Sequence, residues 1–178
     1  MKKTARLIFL LLLLTGLASV HSPAQSLNYK LESVFIYNFT KYIDWPADKQ
    51  TGIFIIGVFG QSPLTDELGK FVTTKKVGEL SIVVKVISNM ADVAQCHIIY
   101  VPVEQNGKLW EISAACKGKP TLIVTEKPGM ITRGAGISIF LDEDDDYKTK
   151  FELNKTAITS NGMLVSSNLL NLAYKLIK

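Results

Sequence analysis

Hydrophobic and polar positions along the 178-residue chain form short apolar runs that alternate with amphipathic stretches. Apolar residues recur at helical spacing from Leu31 to Tyr42, and the sequence Asp44 to Pro46 marks the end of this predicted first helix. Residues 53–59 are nearly all apolar and lie between two glycines, a pattern typical of a strand covered on both faces. The domain therefore opens with a helix followed by a buried strand.

The middle of the chain repeats this alternation. Ser62 and Pro63 are typical of a helix start, and the second helix is predicted to run to about Val72. The pattern then predicts a strand at 80–87, a helical turn at 90–95, a strand at 96–101, a helix at 107–116 and a strand at 121–125. Such alternation favours βαβ units with right-handed crossovers, and hence a mainly parallel sheet with helices on both sides.

The end of the chain has a different pattern. Residues 137–141 and 150–153 alternate in polarity around an acidic turn, which predicts an antiparallel hairpin at one sheet edge. Ser166 or Ser167 is expected to cap a closing helix that extends to Ile177 and packs beside the first helix or on the sheet. The predicted fold class is α/β, a three-layer Rossmann-like sandwich with a mainly parallel sheet, a C-terminal antiparallel edge hairpin, and packed first and last helices.

Residues 1–24 have the pattern of a secretory signal peptide. Basic residues precede an apolar run at 7–14, and small residues at Ser22 and Ala24 predict cleavage after Ala24, with cleavage after Ser22 as the second choice. The run is shorter than the roughly 20 apolar residues that span a bilayer, which argues against an uncleaved anchor. No cysteine lies near the cleavage site to carry a lipid. Residues 25–178 are therefore expected to form one soluble, non-lipidated periplasmic domain.

Charge then argues against nucleic acid as a partner. The chain has 20 Lys and Arg against 16 Asp and Glu, a formal net charge of +4. Three of these basic residues, Lys2, Lys3 and Arg6, belong to the predicted signal peptide, so its removal lowers the net charge to +1. A nearly neutral domain without basic clusters neutralises few phosphates, and the known nucleic-acid-binding motifs are absent from the sequence.

Histidine is too scarce for the common catalytic arrangements. Removal of His21 with the signal peptide leaves His97 as the single histidine of residues 25–178. Its neighbour Cys96 points to the opposite face of a strand, so the two cannot act as a nucleophile and its base. One histidine and two cysteines, without Cys-x-x-Cys or His-x-x-x-His spacing, also make a poor zinc site. We expect no metal, no cofactor and no catalysis, with His97 a hydrogen-bonded packing residue.

The two cysteines are candidates for a disulfide. Cys96 opens a predicted strand and Cys116 lies near the end of the following helix, so both reach the same end of the sheet. In an oxidising compartment, a bridge closing a loop of about 20 residues would stabilise the fold by roughly 3 kcal/mol. The alternative is a pair of buried free thiols.

Two further groups of residues are candidate binding sites. Gly60, Gln61 and Ser62 lie where the first strand meets a helix N-terminus, a position that favours an anion, although the glycine spacing is not that of a dinucleotide-binding loop. This segment is either a small-ligand site or an ordinary capped turn. Trp45 and Trp110 are candidates for a partner surface, because aromatic residues anchor interfaces. For Trp45, exposed contact and core packing are both open.

Several segments together resemble the YfiR-like family in their order and spacing, from about Lys30 to Lys178. These segments are Asn38-Phe39, Asp44-Trp45-Pro46, residues 96–100, Gly134-Ala135-Gly136, residues 151–154 and residues 166–173. The resemblance implies a periplasmic, non-enzymatic α/β protein of Rossmann-like layout. Such a protein restrains a membrane-bound diguanylate cyclase by binding its periplasmic part, and thereby controls cyclic-di-GMP and biofilm formation.

The resemblance also indicates the partners. They are a membrane-bound signalling protein of the diguanylate cyclase type and an outer-membrane lipoprotein that draws the inhibitor away, whereas a homodimer is left open. The main alternative function is a periplasmic small-ligand-binding protein that uses the strand-to-helix loops. A hydrolase with an unusual nucleophile is a weaker third hypothesis.

Overall fold

The computed structural model of the protein describes residues 28–178. The predicted signal peptide and its cleavage site lie outside the described residues. The helices are α1 Tyr29–Phe39, α2 Leu64–Val72, α3 Met90–Val93, α4 Leu109–Cys116, α5 Lys155–Thr159 and α6 Ser167–Leu172. The strands are β1 Ile43–Asp44, β2 Ile53–Phe59, β3 Lys76–Val77, β4 Leu80–Ile87, β5 Ile98–Val101, β6 Leu122–Glu126, β7 Ile137–Asp142, β8 Lys148–Asn154, β9 Leu164–Val165 and β10 Lys175–Ile177.

The main sheet has eight strands in the order β10-β8-β7-β6-β5-β2-β4-β3. Strands β4, β2, β5, β6 and β7 run parallel, and β7 and β8 form the antiparallel hairpin. The short strands β1 and β9 pair in a separate antiparallel ladder. The α/β fold class predicted from the alternating pattern is therefore confirmed. Strand β2 lies between its successors β4 and β5, so the strand order reverses around it.

Two hydrophobic cores lie on opposite faces of the sheet. In β5, Ile98 and Tyr100 belong to the first core, which also holds buried residues of α1 and α2. Ile99 and Val101 belong to the second core, which holds buried residues of α3 and α4. This alternation follows from the two-residue period of a strand. The sheet is thus the middle layer of three, as the parallel pattern predicts.

The predicted bounds agree with the structure where the apolar runs are longest. Strands β2 and β4 begin and end at the predicted residues. The strand predicted at 96–101 begins two residues later as β5, because the Cys96 N–H still bonds the Val93 carbonyl in the turn that follows α3. The helix predicted at 107–116 begins as a 3-10 helix, Val103–Lys108, and continues as α4.

The predicted closing helix is too long. Ser166 caps α6 as one of the two expected residues, with its Oγ accepting the Leu169 N–H at 3.3 Å. The helix ends at Leu172, and Lys175–Ile177 instead form β10, parallel to β8. The Tyr174 N–H donates to the Phe151 carbonyl at 2.9 Å, so the end of the chain pairs with the free edge of β8. As a result, the hairpin lies one strand inside the sheet edge.

The tight packing of side chains around Gly57 generates the first testable prediction. A Cβ atom at Gly57 in β2 would lie 2.7 Å from the Cys96 Sγ and under 3.0 Å from Ile87 and Ile99. Overpacking of this kind costs roughly 1–3 kcal/mol. Gly57→Ala should therefore lower the free energy of unfolding by about that amount, measured by urea denaturation.

Gly69 supplies the matched control. It lies inside α2, where an added Cβ atom would meet none of the described residues within 4 Å. Gly69→Ala should raise the free energy of unfolding by up to about 1 kcal/mol, because alanine is the better helix former. A Gly57→Ala variant as stable as the wild type would contradict the packing described for β2.

Candidate functional site

The carboxyl ends of the parallel strands form the candidate site. Open α/β sheets bind ligands at this edge, at the point where the strand order reverses. Here that point lies between β2 and β5. The segment Gly60 to Ser62 follows β2, residues 102–106 follow β5, and Glu126 is the last residue of β6. The N-terminal turn of α1 adds Glu32 to the same region.

Three buried polar side chains meet at this edge. Glu32 and Tyr100 are 0% exposed and Glu126 is 4% exposed. The Tyr100 hydroxyl oxygen lies 2.9 Å from the Oε1 atom of Glu32, and it also hydrogen-bonds the Oε1 atom of Glu126. The Glu32–Tyr100–Glu126 cluster therefore connects the first helix to two central strands.

The hydroxyl contacts require an additional proton. A tyrosine hydroxyl carries one hydrogen and donates it to a single acceptor. Tyr100 contacts two carboxyl oxygens, so one of the two carboxyl groups must be protonated and donate to the tyrosine oxygen. The cluster is thus a chain of two hydrogen bonds with one ionised carboxylate at most.

Electrostatics assigns this proton to Glu32. Burial and the charge of Glu126 together raise the pKa of Glu32 to about 8, although the Tyr100 hydrogen bond opposes this rise. Burial also raises the pKa of Glu126, but its Oε2 atom accepts the Val103 N–H at 3.3 Å, which favours the charged form. Glu32 therefore donates to Tyr100, and Tyr100 donates to the carboxylate of Glu126.

Unused hydrogen-bonding atoms surround the cluster. The Glu32 Oε2, Thr65 Oγ1 and Asn106 Oδ1 atoms are buried and have no hydrogen-bond partner among the described residues. They belong to α1, to the first turn of α2 and to the segment after β5, which are the elements that meet at this edge. The edge therefore retains free acceptor capacity.

The predicted ligand segment lies beside these acidic groups. Gly60 adopts a left-handed conformation, with φ at +79°, and its N–H donates to the Ile87 carbonyl at 2.9 Å. The Ser62 Oγ accepts the Leu64 N–H at 3.2 Å, as in a capped turn. Burial, together with the charges of Glu126, Glu32 and Glu104, raises the pKa of Tyr29 at this edge. The negative charges of Glu126 and Glu104 oppose an anion, and ligand binding by Gly60, Gln61 and Ser62 stays a prediction.

Trp45 is packed and not exposed. Its side chain is 5% exposed, its indole N–H donates to the His97 carbonyl at 3.2 Å, and its ring meets Phe54 edge to face with 5.0 Å between centroids. Of the two alternatives left open for Trp45, the structure shows core packing, because the segment after α1 folds back against β2. The ring still lines an open depression of about 400 Å³ beside β3 and β4.

His97 is the hydrogen-bonded packing residue that the sequence predicts. Its Nδ1 accepts the Ile55 N–H at 3.0 Å, and its Nε2 lies 2.9 Å from the Lys49 carbonyl oxygen, to which it donates. The ring stacks on Phe54 with 4.3 Å between centroids. Burial lowers the pKa of His97, which keeps the ring neutral. Both ring nitrogens are therefore engaged by the backbone.

Cys96 and Cys116 are buried in the same core, on the α3 and α4 face of the sheet. Both are free thiols in the structure, and their bridging stays a prediction. Burial raises the pKa of Cys96 to about 11, and burial together with the neighbouring Cys96 raises the pKa of Cys116 to about 12. In the reduced state both thiols are protonated at neutral pH and weakly nucleophilic.

Trp110 projects from α4 and is 79% exposed. It borders a groove of about 310 Å³ between α4 and α5, which is also lined by Ser113, Lys117, Gly134 and Asn161. We refer to this concavity as the Trp110 groove. The structure thus separates the two tryptophans proposed for partner binding, since Trp110 lies on the surface and Trp45 lies in the core.

The acidic cluster is the feature that the sequence prediction missed. Glu32 lies four residues before Ile36 and seven before Phe39, both buried, so it shares the apolar face of α1. Glu126 ends a strand whose preceding residues are all buried. The sequence therefore contained one signal for this cluster, which is a charged residue at the same helical spacing as the buried apolar residues.

Metal-binding clusters and membrane-spanning helices are both absent from residues 28–178. No group of three or more His, Cys, Asp or Glu side chains in this range is arranged to hold a metal ion. Within the same range, none of the helices combines the length and apolar character that a bilayer crossing requires.

The protonated state of Glu32 generates a pH prediction. The unfolded chain releases this proton near the ordinary glutamate pKa of about 4.3, whereas the folded protein holds it up to about pH 8. The resulting stabilisation is present below the unfolded pKa and is lost as pH rises through the folded pKa. The free energy of unfolding should therefore fall from pH 5 to pH 9, by on the order of 3 kcal/mol for this group.

Glu32→Gln isolates this group, because glutamine has the same shape and does not titrate. Urea denaturation at pH 5 and pH 9 should show a smaller loss of stability for Glu32→Gln than for the wild type. Glu79→Gln, whose parent side chain is 97% exposed, should keep the wild-type dependence. An unchanged dependence in Glu32→Gln would show that the proton lies elsewhere.

The disulfide prediction is tested by counting thiols. Protein recovered from the periplasm, unfolded without reductant and treated with a thiol-specific label, should carry no label if Cys96 and Cys116 are bridged. After reduction the same preparation should take up two labels per chain. Two labels without reduction would eliminate the bridge.

Comparisons with known proteins identify the family. A family model described as YfiR/HmsC-like matches residues 29–174. The crystal structure of a conserved domain protein from Vibrio cholerae O1 biovar El Tor is similar, at 16% identity and a TM-score of 0.55, over 84% of this chain and 60% of that one. The chain thus spans less than two thirds of that protein, and the likeness shows the fold alone.

An ABC domain from Streptococcus pneumoniae, solved in complex with L-Trp, aligns at 13% identity and a TM-score of 0.49, over 70% of this chain and 55% of that domain. No curated protein matches the chain significantly. The family match covers nearly all of the described residues and confirms the resemblance read from the sequence. The chain therefore belongs to the YfiR/HmsC-like family.

Proposed function

We propose that the protein is a periplasmic regulator that acts by binding the periplasmic part of a membrane-bound diguanylate cyclase. Membership of the YfiR/HmsC-like family supports a periplasmic regulatory role in general. In this proposal, the bound protein holds the cyclase inactive. An outer-membrane lipoprotein or a stress signal draws the regulator away, and the rise in cyclic-di-GMP favours biofilm formation.

A binding role is supported by one observation: the reactive side chains are already used in contacts that hold the fold together. His97, the only histidine among residues 28–178, uses both ring nitrogens for backbone hydrogen bonds. In the reduced state, the two cysteines are kept protonated by burial. General base and nucleophilic catalysis need such groups free and beside a substrate. Their structural use supports a protein that binds and does not turn over a substrate.

A surface feature agrees with this role. Trp110 holds a large aromatic side chain in solvent, on a helix whose opposite face is fully buried. Tryptophan is among the residues that most often dominate binding energy at protein interfaces. A regulator whose output depends on association needs such a surface, whereas an isolated binding protein for small ligands does not.

A second candidate function is supported by the carboxyl edge of the sheet. The unpartnered Glu32 Oε2 atom and the neighbouring acidic residues are suited to a small ligand that donates hydrogen bonds, such as an amine. This function is the small-ligand-binding alternative, and it places the ligand beside the Gly60 to Ser62 segment. The two candidate functions differ in what the folded protein binds, which is a membrane signalling protein in the first and a small ligand in the second.

Capture from solubilised membranes tests the proposal. Affinity-tagged protein, expressed as the full chain and recovered from the periplasm, should enrich an inner-membrane protein with a diguanylate cyclase domain, identified by mass spectrometry. Heat-unfolded protein serves as the control and should not enrich it. Deletion of the gene should raise cellular cyclic-di-GMP.

The opposite outcome is equally defined. Folded protein that captures no membrane signalling protein, together with unchanged cyclic-di-GMP after deletion, would contradict the proposal. Saturable heat on titration with amino acids or nucleotides, in the same preparation, would then favour the small-ligand function.

A further inference from the structure

We propose that the Trp110 groove is the docking site for an acidic segment of the protein partner. The inference rests on the proposed function, because it presumes that a protein partner exists, and it adds the surface and the chemistry of the segment bound. Trp110 of α4 and Lys117, which directly follows α4, form one side of the groove, and Asn161, which follows α5, lies on the other.

Trp110 is exposed on a helix that is itself firmly packed. On the opposite face of α4, Leu109, Ile112 and Cys116 are at most 1% exposed and belong to the second core. The helix is therefore fixed against the sheet, and Trp110 is held in solvent without local unfolding. A pre-positioned aromatic side chain loses little conformational entropy on binding, which is the property of an interface anchor.

Cations outnumber carboxylates around the groove, where the nearby Glu111 is paired with Lys108. Lys117 lines the groove, Arg133 directly precedes the lining residue Gly134, and Lys155 begins α5, two residues before the lining residue Ala157. All three cations are exposed, and within residues 28–178 none of them has a carboxylate within 4.0 Å. The described lining of the groove contains no acidic side chain.

Some surface lysines of the described chain are paired with carboxylates, unlike these three cations. Lys108, in the turn before Trp110, pairs with Glu111 at 2.9 Å, and Lys150 pairs with both Asp142 and Asp145. The groove thus retains unneutralised positive charge beside an exposed aromatic ring. Electrostatic complementarity then selects an acidic occupant and speeds its association.

The polar groups of the groove suit carboxylates as well. The Asn161 Oδ1 atom accepts the Gly118 N–H at 3.0 Å, so the amide NH₂ of Asn161 is left to donate to an incoming acceptor. Gly134 also lines the groove, and its φ of +103° is a conformation that favours glycine. A Cβ atom at this position would lie 2.9 Å from the Ser113 Cβ, so the lack of a side chain keeps this part of the groove open. A volume of about 310 Å³ admits one or two side chains of a short segment.

The test compares three variants with the wild type. Trp110→Ala removes the anchor, Lys117→Glu reverses the charge in the groove, and Lys85→Glu reverses an exposed lysine of β4 as the matched control. All three parent side chains are exposed, so the thermal unfolding midpoint should not change. The probe is the purified periplasmic part of the signalling protein that the wild type captures, with its dissociation constant measured by calorimetry.

The proposal predicts that Trp110→Ala weakens this binding at least about tenfold and that Lys117→Glu weakens it about tenfold, whereas Lys85→Glu changes it less than about twofold. Increasing salt should weaken wild-type binding more than Lys117→Glu binding.

Four outcomes would overturn it, and they are distinguishable. Capture of no signalling protein by the wild type removes the proposed function and this inference together. Capture followed by equal binding of Trp110→Ala removes the groove alone. Loss of binding in Trp110→Ala without loss in Lys117→Glu removes the acidic segment. A wild-type dimer in light scattering that Trp110→Ala dissociates assigns the groove to a second copy of the chain.

Discussion

A single shared proton in the core constrains how the first helix meets the sheet. Tyr100 has one hydroxyl hydrogen and contacts the carboxyl groups of both Glu32 and Glu126, in a region closed to solvent. The arrangement is stable only if one carboxyl group keeps its proton, because two buried carboxylates at this separation repel each other. The same contact fixes α1 on the sheet, where Ile36 and Phe39 complete the first core.

The remaining polar chemistry of the described domain also serves the fold. His97 joins the segment around Lys49 to β2, and the Trp45 indole bonds the His97 carbonyl. Within residues 28–178, the side chains that resemble catalytic groups thus hold the backbone in position. The surface is available for function, and there the exposed Trp110 beside unpaired cations is one feature that packing does not explain.

Local sequence was sufficient to predict the central strands and insufficient at the end of the chain. Strands β2 and β4 are long apolar or β-branched runs with clear boundaries, so their bounds follow from periodicity alone. The apolar spacing of residues 169–177 also fits a continuous helix. The end of this segment forms β10 because it pairs with the free edge of β8. That pairing is a tertiary contact, which a local pattern does not encode.

The candidate sites show the same division. The exposure of Trp110 and the burial of Trp45 both depend on what packs around them, and a loop position before a proline did not decide between contact and core. Glu32 was predictable in principle, since it is in phase with Ile36 and Phe39, but its partners Tyr100 and Glu126 are brought to it by the sheet order. The groove exists only because α4 and α5 meet in the folded protein.

We propose that the protein regulates by contact with a membrane signalling protein through a fixed surface. Photo-crosslinking in living cells, with a benzophenone amino acid replacing Trp110, tests this contact at its proposed position. A crosslinked product that contains an inner-membrane diguanylate cyclase is expected. A crosslink only to a second copy of the chain, or none at all from folded protein at normal abundance, would rule the contact out.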